Sequence, residues 1–152
     1  MGDHSLIQIG ASRVLETRES DDGLTIRRRR ETVDGKRFTT YERVERPALI
    51  VVKQSGGREP FDRAKLMDAI TRSVGKFFKS ELEIEDVVGQ VEAIVYGKNA
   101  DQIDSQSIGE AVLTVLGRTN EVAYVRFASV FRQFTSLREF EQILEEYKGT
   151  KK

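Results

Sequence analysis

Cysteine is absent from the chain, and histidine occurs once, at His4. Without thiols there is no disulfide, no iron–sulfur cluster and no cysteine-ligated zinc. A single imidazole gives no basis for a Ser-His-Asp triad or a multi-histidine metal site, so catalysis is poorly supported and a non-enzyme is expected. Long apolar runs are missing as well: nothing approaches the roughly 18 consecutive residues of a membrane span. The stretch from Met1 to Gly10 lacks the basic flank, apolar run and small-residue cleavage pattern of a signal peptide. The default expectation is a cytoplasmic protein with no membrane partner.

What is present suits one ordinary domain or two small ones sharing a core, in 152 residues of which 38% are hydrophobic and 33% charged. Lysines and arginines number 25, as do aspartates and glutamates, so the formal net charge is zero. That balance hides an uneven distribution. Between Leu24 and Arg46, eight basic residues face four acidic ones, a local excess of four positive charges. A polyanion responds to such a local field more than to the chain total.

The first part, to about Pro47, reads as strands and turns. Arg13 to Thr17 alternates weakly, Asp21-Asp22-Gly23 marks a turn, and Leu24 to Thr32 makes a second strand. Asp34-Gly35 is the strongest hairpin dipeptide in the chain, and Lys36 to Val44 returns from it, completing a small antiparallel meander. Ala48 to Lys53 is a β-branched run turned by Ser55-Gly56-Gly57, with Arg58 to Phe61 pairing back as a hairpin across helices. From Asp62, a plausible N-cap, the apolar period becomes helical. Leu66, Ile70, Val74 and Phe77 share one face; Ile84 to Val95 mark a second helix ending near Gly97. Asp104 or Ser105 caps a third, bearing Ile108, Val112, Val115 and Leu116. A fourth starts near Asn120 and repeats Val122, Val125, Ala128, Phe131 and Phe134. Ser136 with Glu139 fits a capping box for a last helix through Phe140, Ile143, Leu144 and Tyr147, with a frayed tail from Gly149.

Arg27 to Arg30 is the most informative stretch. On a strand, Arg28 and Arg30 share one side and Arg27 and Arg29 the other. Like charges so arranged repel each other and stay solvated unless an anion relieves them, and a β-ribbon with exposed arginines can follow a phosphate backbone or enter a groove. Arg37, across the hairpin, adds to the basic patch, while Thr39, Thr40 and Tyr41 offer hydroxyls to phosphate oxygens or base edges. A plain solvated basic surface fits the same residues.

A second cation cluster surrounds Lys53. Lys53 and Lys65, the latter in the first turn of a helix, could converge on one triphosphate with Arg58 nearby. Val51 and Val52 would offer apolar surface to a base, and Glu59 an acceptor. Lysines at strand ends also serve simply as edge guards. No P-loop is present, which leaves an ATP-hydrolysing enzyme without its motif.

Three segments then stand in order: IRRRRE…RFTTYERVE (Ile26 to Glu45), VVKQSGGREPFDRAKL (Val51 to Leu66) and NEVAYVRFASVFRQF (Asn120 to Phe134). Together they resemble the NrdR family, bacterial repressors of ribonucleotide reductase genes, over nearly the whole chain. The resemblance implies an α+β protein: an antiparallel β-ribbon module of zinc-ribbon type at 1–47, an ATP-cone with a short β-hairpin lid at 48–138, and a C-terminal helix and tail at 139–152. It implies ATP and dATP as regulatory ligands, a homo-oligomer that changes with nucleotide, and double-stranded operator DNA as partner. Carried over by position, the DNA candidates are Arg27, Arg28, Arg29, Arg30, Arg37 and Tyr41. The nucleotide candidates are Val51, Val52, Lys53, Arg58, Glu59, Lys65 and Tyr124. A regulatory module acting through protein contacts, without DNA, is the alternative.

Three departures from the family pattern matter. The two CxxC knuckles are replaced by His4-Ser5-Leu6-Ile7 and by Glu31-Thr32-Val33-Asp34-Gly35, so zinc is expected to be absent and a hydrogen-bonded hairpin to stand in its place. A module so small has too little core to replace roughly 10–16 kcal/mol of apparent zinc-binding energy, and is expected to lean on the cone or a partner subunit through Leu6, Ile7 and Ile9. The family's Arg-Asp after the cone lysine is Gln54-Ser55 here, and a tyrosine near the end of the VAYVRFASV helix is Phe131.

Overall fold

The computed structural model describes residues 6–150 and divides the chain into two compact units, 1–45 and 46–152. His4-Ser5, in the place of the first knuckle, lies outside the described residues.

The first unit is a three-stranded antiparallel sheet in the order β1 (Ser12–Glu19), β2 (Ile26–Thr32) and β3 (Arg37–Glu42), preceded by a short 3₁₀ turn at Ile9–Ala11. Both connections are braced by side chains. In the first, Asp22 accepts from the Ser20 hydroxyl at 2.7 Å and the Leu24 amide at 2.9 Å, while the Ser20 hydroxyl accepts from the Thr25 amide at 3.0 Å. Gly23 takes φ of +72° at this turn, and Gly35 takes +87° in the second, where only glycine is unstrained. In that second turn the Thr32 amide donates to the Lys36 carbonyl at 2.8 Å, and the Thr32 hydroxyl accepts from the Lys36 amide at 3.0 Å and donates to Asp34. The Thr32 hydrogen bond holds the Asp34 carboxyl below its ordinary pKa.

No apolar side chain of this unit is buried among the described residues; its buried residues are Ser20 and Thr25, and Leu6, Ile7 and Ile9 stand largely exposed. Backbone ladders and turn bonds hold the sheet, each contributing only about 0.5–1.5 kcal/mol net.

The second unit is a helical layer carrying a small mixed sheet. Strands β4 (Ile50–Val52) and β5 (Arg58–Pro60) form the hairpin, and β6 (Gln102–Asp104) pairs parallel to β4 on its other side. The helices are α1 (Arg63–Val74), α2 (Glu81–Tyr96), α3 (Ser105–Thr119), α4 (Glu121–Phe131) and α5 (Leu137–Thr150), with a 3₁₀ turn at Gly75–Phe77. Each of α1 to α4 starts at a polar cap. Asp62 accepts from the Ala64 and Lys65 amides, Ser80 from Glu83, Asp104 from Ser107 and Asn120 from Ala123. At α5 the Glu139 carboxylate accepts from the Thr135 and Ser136 amides, which is the reciprocal half of the capping box.

The core joins Leu49, Val51 and Ile103 of the sheet layer to Leu66, Ile70, Val74, Val87, Val91, Val112 and Leu116. Gly109 admits the ring of Phe131: a Cβ at this position would lie 2.1 Å from the ring, which also stacks on Phe127 at 5.7 Å. One ion cluster is sunk beside this core. Arg63 donates to Glu85 at 2.5 Å and to Glu92 at 2.6 Å, with all three side chains mostly buried. No described helix is long and apolar enough to cross a membrane.

Several details depart from the sequence reading: β6 interrupts the part read as helical, and Phe134, expected on the fourth helix, lies beyond the end of α4. Helix α5 continues through Gly149, because this glycine does not take the positive φ that ends a helix. Val122, expected on the packed face of its helix, is 54% exposed. Phe77 belongs to the 3₁₀ turn after α1 rather than to the helix itself.

Two outcomes follow from this packing. Arg63→Ala leaves two buried carboxylates without their cation and is expected to cost about 3–5 kcal/mol, read as a lower urea midpoint. A fragment ending at Pro47 has no buried apolar side chain among its described residues and is expected to show no cooperative thermal transition; a sharp one would contradict this.

Candidate nucleic-acid and nucleotide sites

Strand register decides how the arginine run is displayed. Arg27 pairs with Tyr41, Arg28 with Thr40, Arg29 with Thr39, Arg30 with Phe38, and Glu31 with Arg37. Directly paired residues share a face. Arg37 therefore joins the side of Arg27 and Arg29, not that of Arg28 and Arg30. On the other flank, β1 pairs Arg18 with Arg27, Glu16 with Arg29, Val14 with Arg30 and Arg13 with Glu31, and the register shifts between Val14 and Glu16.

The two faces differ in chemistry. On the first, Glu31 accepts from Arg13 at 2.6 Å and from Arg37 at 3.1 Å, and Glu16 lies 2.8 Å from Arg18 and 3.9 Å from Arg27. Arg29 donates to the Thr39 hydroxyl at 2.9 Å. The hydrogen bonds from Arg13 and then Arg37 hold the Glu31 carboxyl below its usual pKa, so it is ionised at neutral pH. On the second face Arg28 is paired with Glu42 at 3.0 Å, and Arg30 donates to Thr40 at 3.3 Å and Ser12 at 3.2 Å. Val14, Ile26 and Phe38 share that side.

In the second unit, Lys53 and Lys65 converge as their positions suggested, but on a carboxylate of their own chain: their ammonium groups lie 3.3 and 3.1 Å from the same oxygen of Glu59. The hydrogen bonds from Lys65 and then Lys53 lower the Glu59 pKa. Arg58 donates to Gln102 of β6 at 2.6 Å. Val51 is buried in the core and Val52, its neighbour along the strand, points to the opposite face. Asp62 occupies the Ala64 and Lys65 amides, so the attraction for an anion here comes from the lysines rather than from free helix amides. Tyr124 is elsewhere. It lines a cavity of about 430 Å³ with Glu110, Gly117, Arg118, Arg132 and Tyr147, and its ring packs against Gly117 and Tyr147. Gly117 lies eleven residues along α3 from Gln106, the residue that Gln54 of the lid reaches, or about 16 Å at 1.5 Å per residue.

Comparison with known proteins agrees with this division. Residues 8–42 match the family model described as transcriptional repressor NrdR-like, N-terminal domain, and residues 49–137 match the ATP cone domain. A protein of Synechococcus sp. named transcriptional repressor NrdR is 46% identical over 135 residues, covering 88% of this chain and 80% of its own. The protein of that name from Streptococcus sanguinis is 46% identical over 143 residues, covering 93% and 91%. That from Prochlorococcus marinus is 43% identical over 142 residues, covering 93% and 90%.

The chain belongs to the NrdR family. It is thus a member of a family of transcriptional repressors with a regulatory ATP cone, and its α+β architecture is the one the resemblance implied.

Against the zinc ribbon that the NrdR resemblance brings with it, the donor set does not fit. The chain has no thiol, and the described residues hold no cluster of three or more groups able to ligate a metal. Where the second knuckle would stand, the Thr32–Lys36 turn closes β2 to β3 through its own hydrogen bonds. The other NrdR departures also have visible consequences: Gln54 hydrogen-bonds Gln106 of α3 at 3.2 Å, and the Phe131 ring fills the space above Gly109. Sequence reasoning missed Arg13, Glu16 and Arg18, whose place beside the run depends on a register shift that no dipeptide announces. It also missed β6, three residues long, which supplies Gln102.

Proposed function

We propose that this chain is a nucleotide-responsive repressor that binds double-stranded operator DNA of ribonucleotide reductase genes through its arginine sheet and reads ATP and dATP through its cone. The observation that carries the reading is the pairing, in one chain of this family, of an arginine-rich sheet with a lysine-flanked cone lid. The candidates the sequence offers for DNA lie on both faces of this sheet, Arg27, Arg29, Arg37 and Tyr41 on one and Arg28 and Arg30 on the other. Lys53, Lys65 and Arg58 supply charge to the phosphates, Glu59 an acceptor, and Val51 and Val52 the strand beneath the base. Tyr124, in its separate cavity, belongs to the packing of the cone.

The module works without zinc on this reading, because its turns are closed by Ser20, Asp22, Thr32 and Asp34 and no thiolate set is available. Control runs through assembly of a homo-oligomer in the cytoplasm: a nucleotide that binds one packing of subunits more tightly shifts the population toward it. Arginine sheets in one packing then match a repeated operator, and those in another do not.

Size-exclusion chromatography with light scattering, run with ATP and with dATP, followed by gel shifts of a reductase-promoter duplex with each species, tests this. Different oligomers with different DNA affinity are expected; identical size and affinity in both nucleotides would sink the proposal. DNA-free behaviour with nucleotide-dependent protein contacts would instead indicate a module acting on proteins. For the ligand site, Lys53→Ala and Lys65→Ala are each expected to weaken ATP binding about tenfold or more, the loss of one charge-assisted hydrogen bond of roughly 1.5–3 kcal/mol. Tyr124→Phe should leave the calorimetric affinity unchanged.

A further inference from the structure

The register shift in β1 has an effect on charge that the sequence conceals. Arg13 and Arg18 are five positions apart, and on a regular strand an odd separation sends two side chains to opposite faces. Between Val14 and Glu16 one extra residue, Leu15, is inserted into β1 against β2. The insertion changes the parity, as a β-bulge does. Arg13 pairs with Glu31 and Arg18 with Arg27, so both arrive on the face of Arg27, Arg29 and Arg37.

That face is an array three strands wide and three rows deep. Its rows are Arg18, Arg27 and Tyr41; Glu16, Arg29 and Thr39; and Arg13, Glu31 and Arg37. Every position is polar or carries a hydroxyl, and five arginines against two carboxylates leave three positive charges. With strands about 4.8 Å apart and rows about 6.8 Å apart, it spans roughly 10 by 14 Å, comparable with a major groove about 12 Å wide. The opposite face has Arg28 and Arg30 balanced by Glu19 and Glu42, and carries Val14, Ile26 and Phe38. It is neutral and partly apolar, the character of a surface that packs.

Exposure separates the flanking strands from the central one: the side chains of Arg13, Arg18 and Arg37 are 74%, 62% and 63% exposed, against 26% for Arg27 and 29% for Arg28, so what tells the two faces apart is their charge. We propose that the sheet meets DNA with this one face: Arg13 and Arg18 make phosphate contacts beside Arg27, Arg29 and Arg37, while Arg28 and Arg30 make none. Glu16 and Glu31 act as internal counter-ions that hold the exposed guanidinium groups apart until phosphates take their place. This rests on the module binding DNA and narrows the residues that do so.

The test measures binding of a labelled reductase-promoter duplex by the full chain across a salt series. Each lost phosphate contact flattens the slope of log K against log salt by about 0.9. Arg13→Gln and Arg18→Gln are each expected to flatten it by that amount, and Arg28→Gln and Arg30→Gln to leave it unchanged. Glu16→Gln frees Arg18 and Arg27 and is expected to tighten binding at fixed salt, a gain that misfolding cannot produce. Flattening by Arg28→Gln or Arg30→Gln, whether alone or equal to that of the β1 variants, overturns the face assignment while DNA binding stands, as does a weaker Glu16→Gln complex. A wild-type chain that binds no duplex in any nucleotide state overturns both.

Discussion

Four adjacent guanidinium groups on a central strand repel one another, and the architecture of the N-terminal unit answers that repulsion. Two unit charges about 7 Å apart, the spacing of alternate residues, interact by about 0.6 kcal/mol in bulk water and about 2.4 kcal/mol at an effective dielectric of 20. Strand β2 lies between two neighbours whose side chains crowd its own on each face, leaving Arg27 26% and Arg28 29% exposed. Relief has to come from across the sheet. It comes from both sides: Glu16 from β1 reaches Arg27, and Glu42, Thr39 and Thr40 from β3 reach Arg28, Arg29 and Arg30. A two-stranded ribbon would lack the Glu16 side of this arrangement, which is one physical reason for the third strand.

The elements of this fold that local chemistry specifies were legible in the sequence. Asp34-Gly35 placed the hairpin because only glycine takes φ of +87° without strain there, and Asp62, Asp104 and Asn120 marked helix starts because their side chains accept from amides that a helix leaves unpaired. What the sequence did not disclose depends on partners distant along the chain. Strand β6 is three residues long and exists because β4 offers it a parallel edge. The bulge at Leu15 is visible only once β1 is laid against β2. The Arg63 cluster draws its carboxylates from 22 and 29 residues away on α2, where Glu85 and Glu92 sit on a face that is otherwise apolar. Tyr124 was a candidate by position in the Asn120–Phe134 segment, and its place in a cavity with Gly117, Arg118 and Arg132 depends on how α3 and α4 pack, which no local pattern states.

Without knuckle thiols, the turns of the module are closed by hydrogen bonds alone. Structural zinc contributes on the order of 10–16 kcal/mol in finger peptides, whereas the side-chain bonds of the Ser20–Thr25 and Thr32–Lys36 turns contribute roughly 0.5–1.5 kcal/mol each. A few such bonds fall well short of that energy. The sheet is left with a residual repulsion and, among the described residues, no buried apolar side chain of its own to oppose it. Any anion that docks on the arginines then stabilises the folded sheet by mass action, by about 2.7 kcal/mol at a concentration one hundred times its dissociation constant. Folding of the module and occupancy of its basic face become linked quantities.

The same device recurs in the cone. Glu59 sits between Lys53 and Lys65 as Glu31 sits between Arg13 and Arg37, one carboxylate holding two cations. A phosphate entering either place competes with that carboxylate, so part of its Coulomb attraction is spent on displacement and the affinity is moderated. In return the cations are already ordered, which reduces the side-chain entropy lost on binding, about 0.5–1.5 kcal/mol for each long side chain immobilised. For a regulator this balance has a use. A site that responds to a ratio of two ligands, or to one arrangement of a repeated operator, must release as well as bind, and an internal counter-ion lowers the gap between the empty and occupied states without dismantling the geometry of either.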